Sequence, residues 1–301
     1  MSLYQVTASS LNFRQKPFVS SSNRIATLPQ GHVVDVLNKE KQPWWYVSTN
    51  FRGESLTGYV HSNFLAEKSY FQRPVSFSSI SAVHLTENRS SITRNRDGGR
   101  AYPLGESNRP IRDANDEANK VEQIGKIINW LQVENSERYI RHGSTTFCNI
   151  YAYDYCYLSR VYIPRVWWKH RALLDLNNGK SVDVLYGETV TELNANALHD
   201  WFEDFGEHFG WSAVSNINSA QAAANSGNIV IACAKRVTTN RPGHICAIAP
   251  EINQHKASRD RDGNVTKPLQ SQAGSSNFRF KAANRWWTSS IFQSFGIWVH
   301  N

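Results

Sequence analysis

The first 147 residues contain no cysteine, and the four that follow, Cys148, Cys156, Cys233 and Cys246, form no CxxC pair. That spacing argues against a zinc site and against a thioredoxin-like motif, so neither metal nor cofactor is expected. No stretch of about 18 apolar residues occurs, so no membrane span is expected. The opening Met1-Ser2-Leu3-Tyr4-Gln5-Val6 has no basic segment followed by an apolar run. The expectation is a chain made in the cytoplasm without a secretory signal peptide. Zinc-finger spacing and an Arg/Lys-rich helix are missing too, which argues against nucleic acid as a partner. The net charge of +8 favours polyanions in general, bacterial envelopes and anionic membranes included, and decides nothing by its sign alone.

What is present is an ordinary globular composition, 40% hydrophobic and 19% charged, in a chain of 301 residues, long enough for about two domains. Aromatic residues are abundant. Core packing explains most of them, and the remainder offer flat faces for sugar or peptide ligands.

The sequence divides near residue 70. Residues 1–68 read as short strands, such as 33–37 and 44–48, separated by turns at Pro29-Gln30-Gly31 and Arg52-Gly53-Glu54. Several such strands in so short a span predict a small β-barrel. Residues 69–113 read as a linker and irregular segment, in which Arg94, Arg96 and Arg100 form either a solvated loop or a grip for an anionic substrate. Residues 114–301 read as a second domain. Val121, Ile124, Ile128 and Leu131 share one helical face, with Asp113 or Asn115 as cap and Asp116 and Glu117 in the first turn. Further helices are expected over 195–209 and 219–224, and strands over 229–234, 245–249 and 268–273. Helices first and strands afterwards predict an α+β fold with an antiparallel sheet.

Cys148 follows a polar turn and opens an apolar, aromatic stretch, which places its thiol near a helix N-terminus. Backbone N–H groups there stabilise a thiolate. About a hundred residues on, Gly243 permits close backbone approach and His244 opens an apolar strand. A cysteine at a helix start facing a histidine at a strand start is a nucleophile with its base. A third polar group should orient the imidazole. Gln270 and Gln272 share a parity on the next strand, and Glu251 is another option. The Cys148 backbone N–H suits an oxyanion hole. Cys156, Cys233 and Cys246 read as reduced, buried fillers. Taken singly, Cys148 and His244 also have plain structural readings, and only the joint pattern points to catalysis.

Two resemblances sharpen these readings. Leu11-Asn12-Phe13-Arg14, residues 25–31, Trp44-Trp45-Tyr46-Val47 and residues 57–65 resemble successive strands of a bacterial SH3 domain. That implies cell-wall or peptide binding, with a spacer or docking role as the alternative. Residues 146–154 resemble the nucleophile segment of papain-like peptidoglycan amidases and endopeptidases of the NlpC/P60 and CHAP superfamily. Residues 192–201 and 209–211 resemble the middle helix of phage- and effector-associated members. Residues 243–248 resemble their histidine strand, 272–278 the strand after it, and 297–300 the closing strand.

This second resemblance implies hydrolysis of a peptidoglycan amide bond through a thioester, with Cys148, His244 and Gln272 as the catalytic set. It also implies delivery by a secretion apparatus or lysis, and a cognate immunity protein as a partner. The sequence departs from the family pattern in two places. Asp-Cys-Ser-Gly is replaced by Phe147-Cys148-Asn149-Ile150, and Gln272 stands where His, Asn or an acid is usual. The alternative is an effector toxin of the same fold acting on protein as a protease, deamidase or transglutaminase-like enzyme. A binding module with an inactive cysteine site is a third reading.

Overall fold

A computed structural model describes residues 2–8, 10–51, 54–67, 80–85, 90–238 and 241–301. The chain is mixed α/β and separates into two compact units, Met1–Ser79 and Ile80–Asn301.

Among its described residues the first unit consists of strands joined by loops and short 3-10 turns. Its strands are β1 (Ser2–Val6), β2 (Ser10–Arg14), β3 (Arg24–Pro29), β4 (Val33–Asn38), β5 (Trp44–Phe51), β6 (Glu54–His61) and β7 (Leu65–Glu67). They form one curled antiparallel sheet in the order β3-β2-β6-β5-β4-β1-β7. Alternation along the strands sends Leu11 and Phe13, Val34 and Val36, and Val47 into a single core with Val6, Leu28 and Val60.

The second unit contains α1 (Lys120–Leu131), α2 (Cys148–Leu158), β8 (Val166–Trp168), α3 (His170–Asn177), β9 (Val190–Glu192) and α4 (Ala195–Phe205). There follow β10 (Ser212–Ala213), α5 (Ile217–Asn225), β11 (Ile229–Arg236), β12 (His244–Ile248), β13 (Ser258–Arg259) and β14 (Val265–Lys267). The unit closes with β15 (Leu269–Gln272), β16 (Phe278–Ala282) and β17 (Phe292–His300). The main sheet is antiparallel, in the order β10-β17-β11-β12-β15-β16, with β11 central and fully buried from Ile229 to Ala234.

Several expectations shift. Helix α1 starts later than the Asp113 or Asn115 cap implies: Asn119 takes the cap position, and Asp116 instead accepts hydrogen bonds from the Asn119 and Gln123 side-chain amides. Ile124, Ile128 and Leu131 are buried as the periodicity requires, joined by Ile127. Part of the stretch expected as a linker, 69–79 and 86–89, lies outside the described residues. The described residues from Ile80 on pack into the second unit, burying Ile80, Val83, Leu85, Ile92 and Leu104 without forming helix or strand up to 113. Their spacing follows neither helical nor strand periodicity, so pattern reasoning has nothing to register.

Helix α2 is the centre of the unit, with nearly every side chain buried. Its position is set by polar anchors. The Asp154 carboxylate accepts from Arg138 Nε at 2.6 Å, Arg138 Nη2 at 3.2 Å and the Tyr139 hydroxyl at 2.9 Å. Tyr151 and Ser271 hydroxyls bond at 2.5 Å, and the Asn149 amide donates to Leu193 O at 2.9 Å. These tie the helix to the segment before it, to β15 and to the loop after β9.

Candidate active site

Cys148 is the first residue of α2 and is 4% exposed. The helix lies against β12, whose first residue is His244. The N–H groups of Ile150 and Tyr151 bond back to Phe147 O, and those of Cys148, Asn149 and Ile245 are the backbone donors that act on the thiol.

His244 Nε2 lies 2.8 Å from Gln272 Oε1. The other end of that amide donates to Ser276 O at 3.0 Å, and a carbonyl can only accept. Gln272 therefore presents its oxygen to the ring, the imidazole donates from Nε2, and the lone pair of the neutral ring is left at Nδ1. Trp286 packs edge-on against the imidazole with ring centroids 4.4 Å apart. Gln270, fully buried, accepts from Trp286 Nε1 at 3.1 Å and donates to Ala283 O and Asn284 O. The shared parity of the two glutamines thus becomes two tasks: Gln272 meets the histidine, and Gln270 meets the tryptophan that covers it.

Glycines make room for this arrangement. A Cβ on Gly274 would stand 3.1 Å from His244 Cε1. At Gly243 a Cβ would stand 2.1 Å from Ala234 O and 2.7 Å from Asn196 Oδ1. The first of these is backbone of β11 and cannot rotate away. Gly243→Ala is expected to destabilise the fold by about 1–3 kcal/mol through overpacking. Chemical denaturation checks this, and a wild-type midpoint would show that β11 yields at no cost.

The electrostatics depart from expectation. Burial pushes the Cys148 thiol up to about 11, with the N–H groups of Ile245, Asn149 and Cys148 acting in the opposite direction. The helix start does favour the thiolate, but loss of water outweighs it. Burial lowers His244 from 6.5, opposed by its bond to Gln272 and reinforced by the charge of Arg236. Both shifts favour the neutral pair, thiol and imidazole, over thiolate and imidazolium.

Linkage gives each shift a sign. Neutral His244 contributes stability that is full above 6.5 and lost as pH falls through its lowered value. Cys148 contributes stability that is full below 9.0 and lost as pH rises through about 11. The stability difference between wild type and Cys148→Ala is therefore expected to be level from neutral pH to 9.0 and to shrink above it. A pH series of denaturation curves tests this, and a difference that stays constant to about 11 contradicts it.

Among the described residues Glu251 bonds neither Cys148 nor His244. Its carboxylate is held by Arg259 at 2.7 and 2.6 Å, Asn225 at 2.7 Å and the Ala257 N–H at 2.8 Å. These partners, Arg259 foremost, bring it down to about 2. Nor do two of the three loop arginines reach for a substrate. Arg94 bonds Glu106 and Trp130 O and stacks on the Trp130 ring at 3.9 Å. Arg100 donates to Arg138 O and Glu137 O and stacks on Phe147, the residue before Cys148, at 3.8 Å. Sequence reasoning left Trp286 without a role and passed over Asn277. The Asn277 amide accepts from the Gly274 N–H and donates to Val133 O and Tyr139 O, tying the glutamine loop to the segment after α1. The Trp286-Trp287 pair was the visible signal for the first. Asn277 carries none, because the atoms it donates to, Val133 O and Tyr139 O, lie far away in the sequence. All four cysteines are free and buried.

The first unit has its own aromatic surface. The β5–β6 register sets Trp44 opposite His61 and Tyr46 opposite Tyr59, with ring centroids 5.3 and 5.0 Å apart. His61 in turn meets Phe64, which is 45% exposed and extends the row into solvent.

Residues 9–66 match the family model of a bacterial SH3 domain, in agreement with the curled sheet of the first unit. No curated protein matches the chain. Among solved structures, NlpC2 from Trichomonas vaginalis is 12% identical, with 96% of this chain and 74% of that chain covered at a TM-score of 0.23. NlpC1 from Trichomonas vaginalis is also 12% identical, with 96% and 70% covered at a TM-score of 0.23. At such scores neither likeness establishes a shared fold.

Proposed function

We propose that the second unit is a cysteine hydrolase that cleaves amide bonds of bacterial peptidoglycan, and that the SH3 domain holds the chain to the wall. The observation that carries this reading is the His244–Gln272 hydrogen bond on strands β12 and β15, with the Cys148 helix packed against β12. With Nε2–H engaged by Gln272, Nδ1 is the nitrogen that takes the thiol proton. Sulfur attacks the scissile carbonyl carbon, and the oxyanion is met by N–H groups at the start of α2. Collapse breaks the C–N bond, and the imidazolium returns its proton to the leaving amine. Water, deprotonated by His244, then attacks the thioester, releasing the acid and restoring the thiol.

Because burial favours the neutral thiol and imidazole, proton transfer on this reading accompanies attack instead of preceding it. Gln272 orients the ring without carrying a charge, so it gives the imidazolium less support than a carboxylate gives. On this reading the place of action is the periplasm or the wall. The aromatic row Trp44, Tyr46, Tyr59, His61 and Phe64 supplies the flat faces that sugar rings and stem peptides stack on.

Digestion of purified sacculi followed by mass spectrometry tests the proposal. Wild type should release fragments whose masses identify one amide bond, and Cys148→Ala should release none. A mass change on a protein target with no muropeptide release would transfer the chemistry to the protein-directed alternative.

A further inference from the structure

The far end of α2 carries a second feature. The eleven-residue helix, at a rise of about 1.5 Å per residue, ends beside a cleft of about 470 Å³ within the second unit. Its lining includes Arg109, Arg160, His84, Tyr157 and Tyr162. The volume falls in the range of small-ligand sites. The Tyr162 wall is fixed, because its hydroxyl bonds Val83 N–H and Val83 O, and the His84 ring stands edge-on to it at 5.2 Å.

Three arginines gather at this helix end, and among the described residues they are engaged unequally. Arg112 is fully buried and donates to Ser159 O and Gly227 O, which caps the helix. Arg109 donates only to Glu106 O among the described residues, and its buried Nε has no partner. Arg160 has no carboxylate and no side-chain hydrogen bond among the described residues. Its backbone is the less expected part. The helix closes with Val161 N–H on Cys156 O and Arg160 N–H on Tyr157 O, which puts Arg160 at the left-handed position with φ 57°. Glycine is the relaxed residue there. Arg160 thus closes the helix end in that conformation, while its exposed guanidinium, without a partner among the described residues, lines the cleft.

We propose that this cleft binds a phosphomonoester on a sugar-sized body, with Arg109 and Arg160 gripping the phosphate and the Tyr157 and Tyr162 rings flanking the body. Two guanidinium forks match a dianion with three acceptor oxygens better than a single carboxylate. The site is independent of the hydrolase reading, since it shares no residue with the Cys148 centre.

Calorimetric titration of the full chain with glucose 6-phosphate, and with glucose as control, tests it beside Arg109→Gln and Arg160→Gly. Wild type should bind the phosphate and not the free sugar. Each variant should bind at least about tenfold more weakly, as loss of a charged hydrogen-bonding partner predicts. Arg160→Gly should also denature at or above the wild-type midpoint, because glycine relaxes the backbone; that separates a binding role from a structural one. Equal affinity of both variants and wild type, or glucose bound as tightly as its phosphate, or no phosphate binding at all, overturns the proposal. Binding of phosphatidylglycerol vesicles in place of the soluble phosphate overturns the choice of ligand.

Discussion

Cys148→Ala is expected to lower muropeptide release by about 10⁴-fold or more while the chain stays folded, since a covalent route has no substitute for its nucleophile. The sulfur is buried and bonds no other side chain among the described residues, so alanine removes little packing and leaves the His244–Gln272 bond in place. Truncating a group of that size in a core costs about 1 kcal/mol, well inside a domain's stability. Cys148→Ser should be nearly as inactive. A hydroxyl gives up its proton less readily than a thiol, and burial has already lowered the basicity of His244. His244→Ala should match the loss, since the thiol is held near 11 and does not ionise unaided at neutral pH. Rates on sacculi with circular dichroism on the same samples check the set. Substantial activity in Cys148→Ala would remove the nucleophile from the mechanism, and an unfolded variant would make the thiol structural.

Asp154→Ala is the substitution expected to cost most stability. Asp154, Arg138 and Tyr139 are all fully buried, and the carboxylate compensates the guanidinium at 2.6 Å. Removing it strands a charge in a dry interior, with a typical cost of about 3–5 kcal/mol. The tyrosine hydroxyl loses its acceptor at the same time. Because Asp154 lies on the helix that opens with Cys148, activity should fall with stability. Urea denaturation checks the first effect. A loss under about 1 kcal/mol would mean that water enters to solvate Arg138.

Much of this was legible in the sequence where local rules act. The barrel strands announced themselves by β-branched and aromatic alternation between turns. Helix α1 showed its apolar face, and the small polar turn before Cys148 marked the start of α2. The parity of Gln270 and Gln272 was readable because a strand has a period of two. What stayed hidden depends on contacts between distant segments. Glu251 reads from the sequence as an option beside Gln272, and only the fold shows that Arg259 and Asn225 hold it. The thiol looked ionised because helix-terminus effects are local, whereas the burial that outweighs them is set by the whole fold. The short helix α3 escaped because it buries only Ala172, too little for an apolar stripe. The stretch 69–113 reads as a linker because its spacing has no period, although Ile80, Val83, Leu85, Ile92 and Leu104 within it are core.

The central claim is that Cys148 forms a thioester with a fragment of the wall. Acid quenching of the protein with sacculi during turnover, followed by intact-mass and peptide mass spectrometry, tests it most directly. The account predicts a peptidoglycan-derived acyl adduct on the peptide containing Cys148, absent from Cys148→Ala. Fragments released at the wild-type rate by Cys148→Ala, or an adduct carried by another residue, would contradict it.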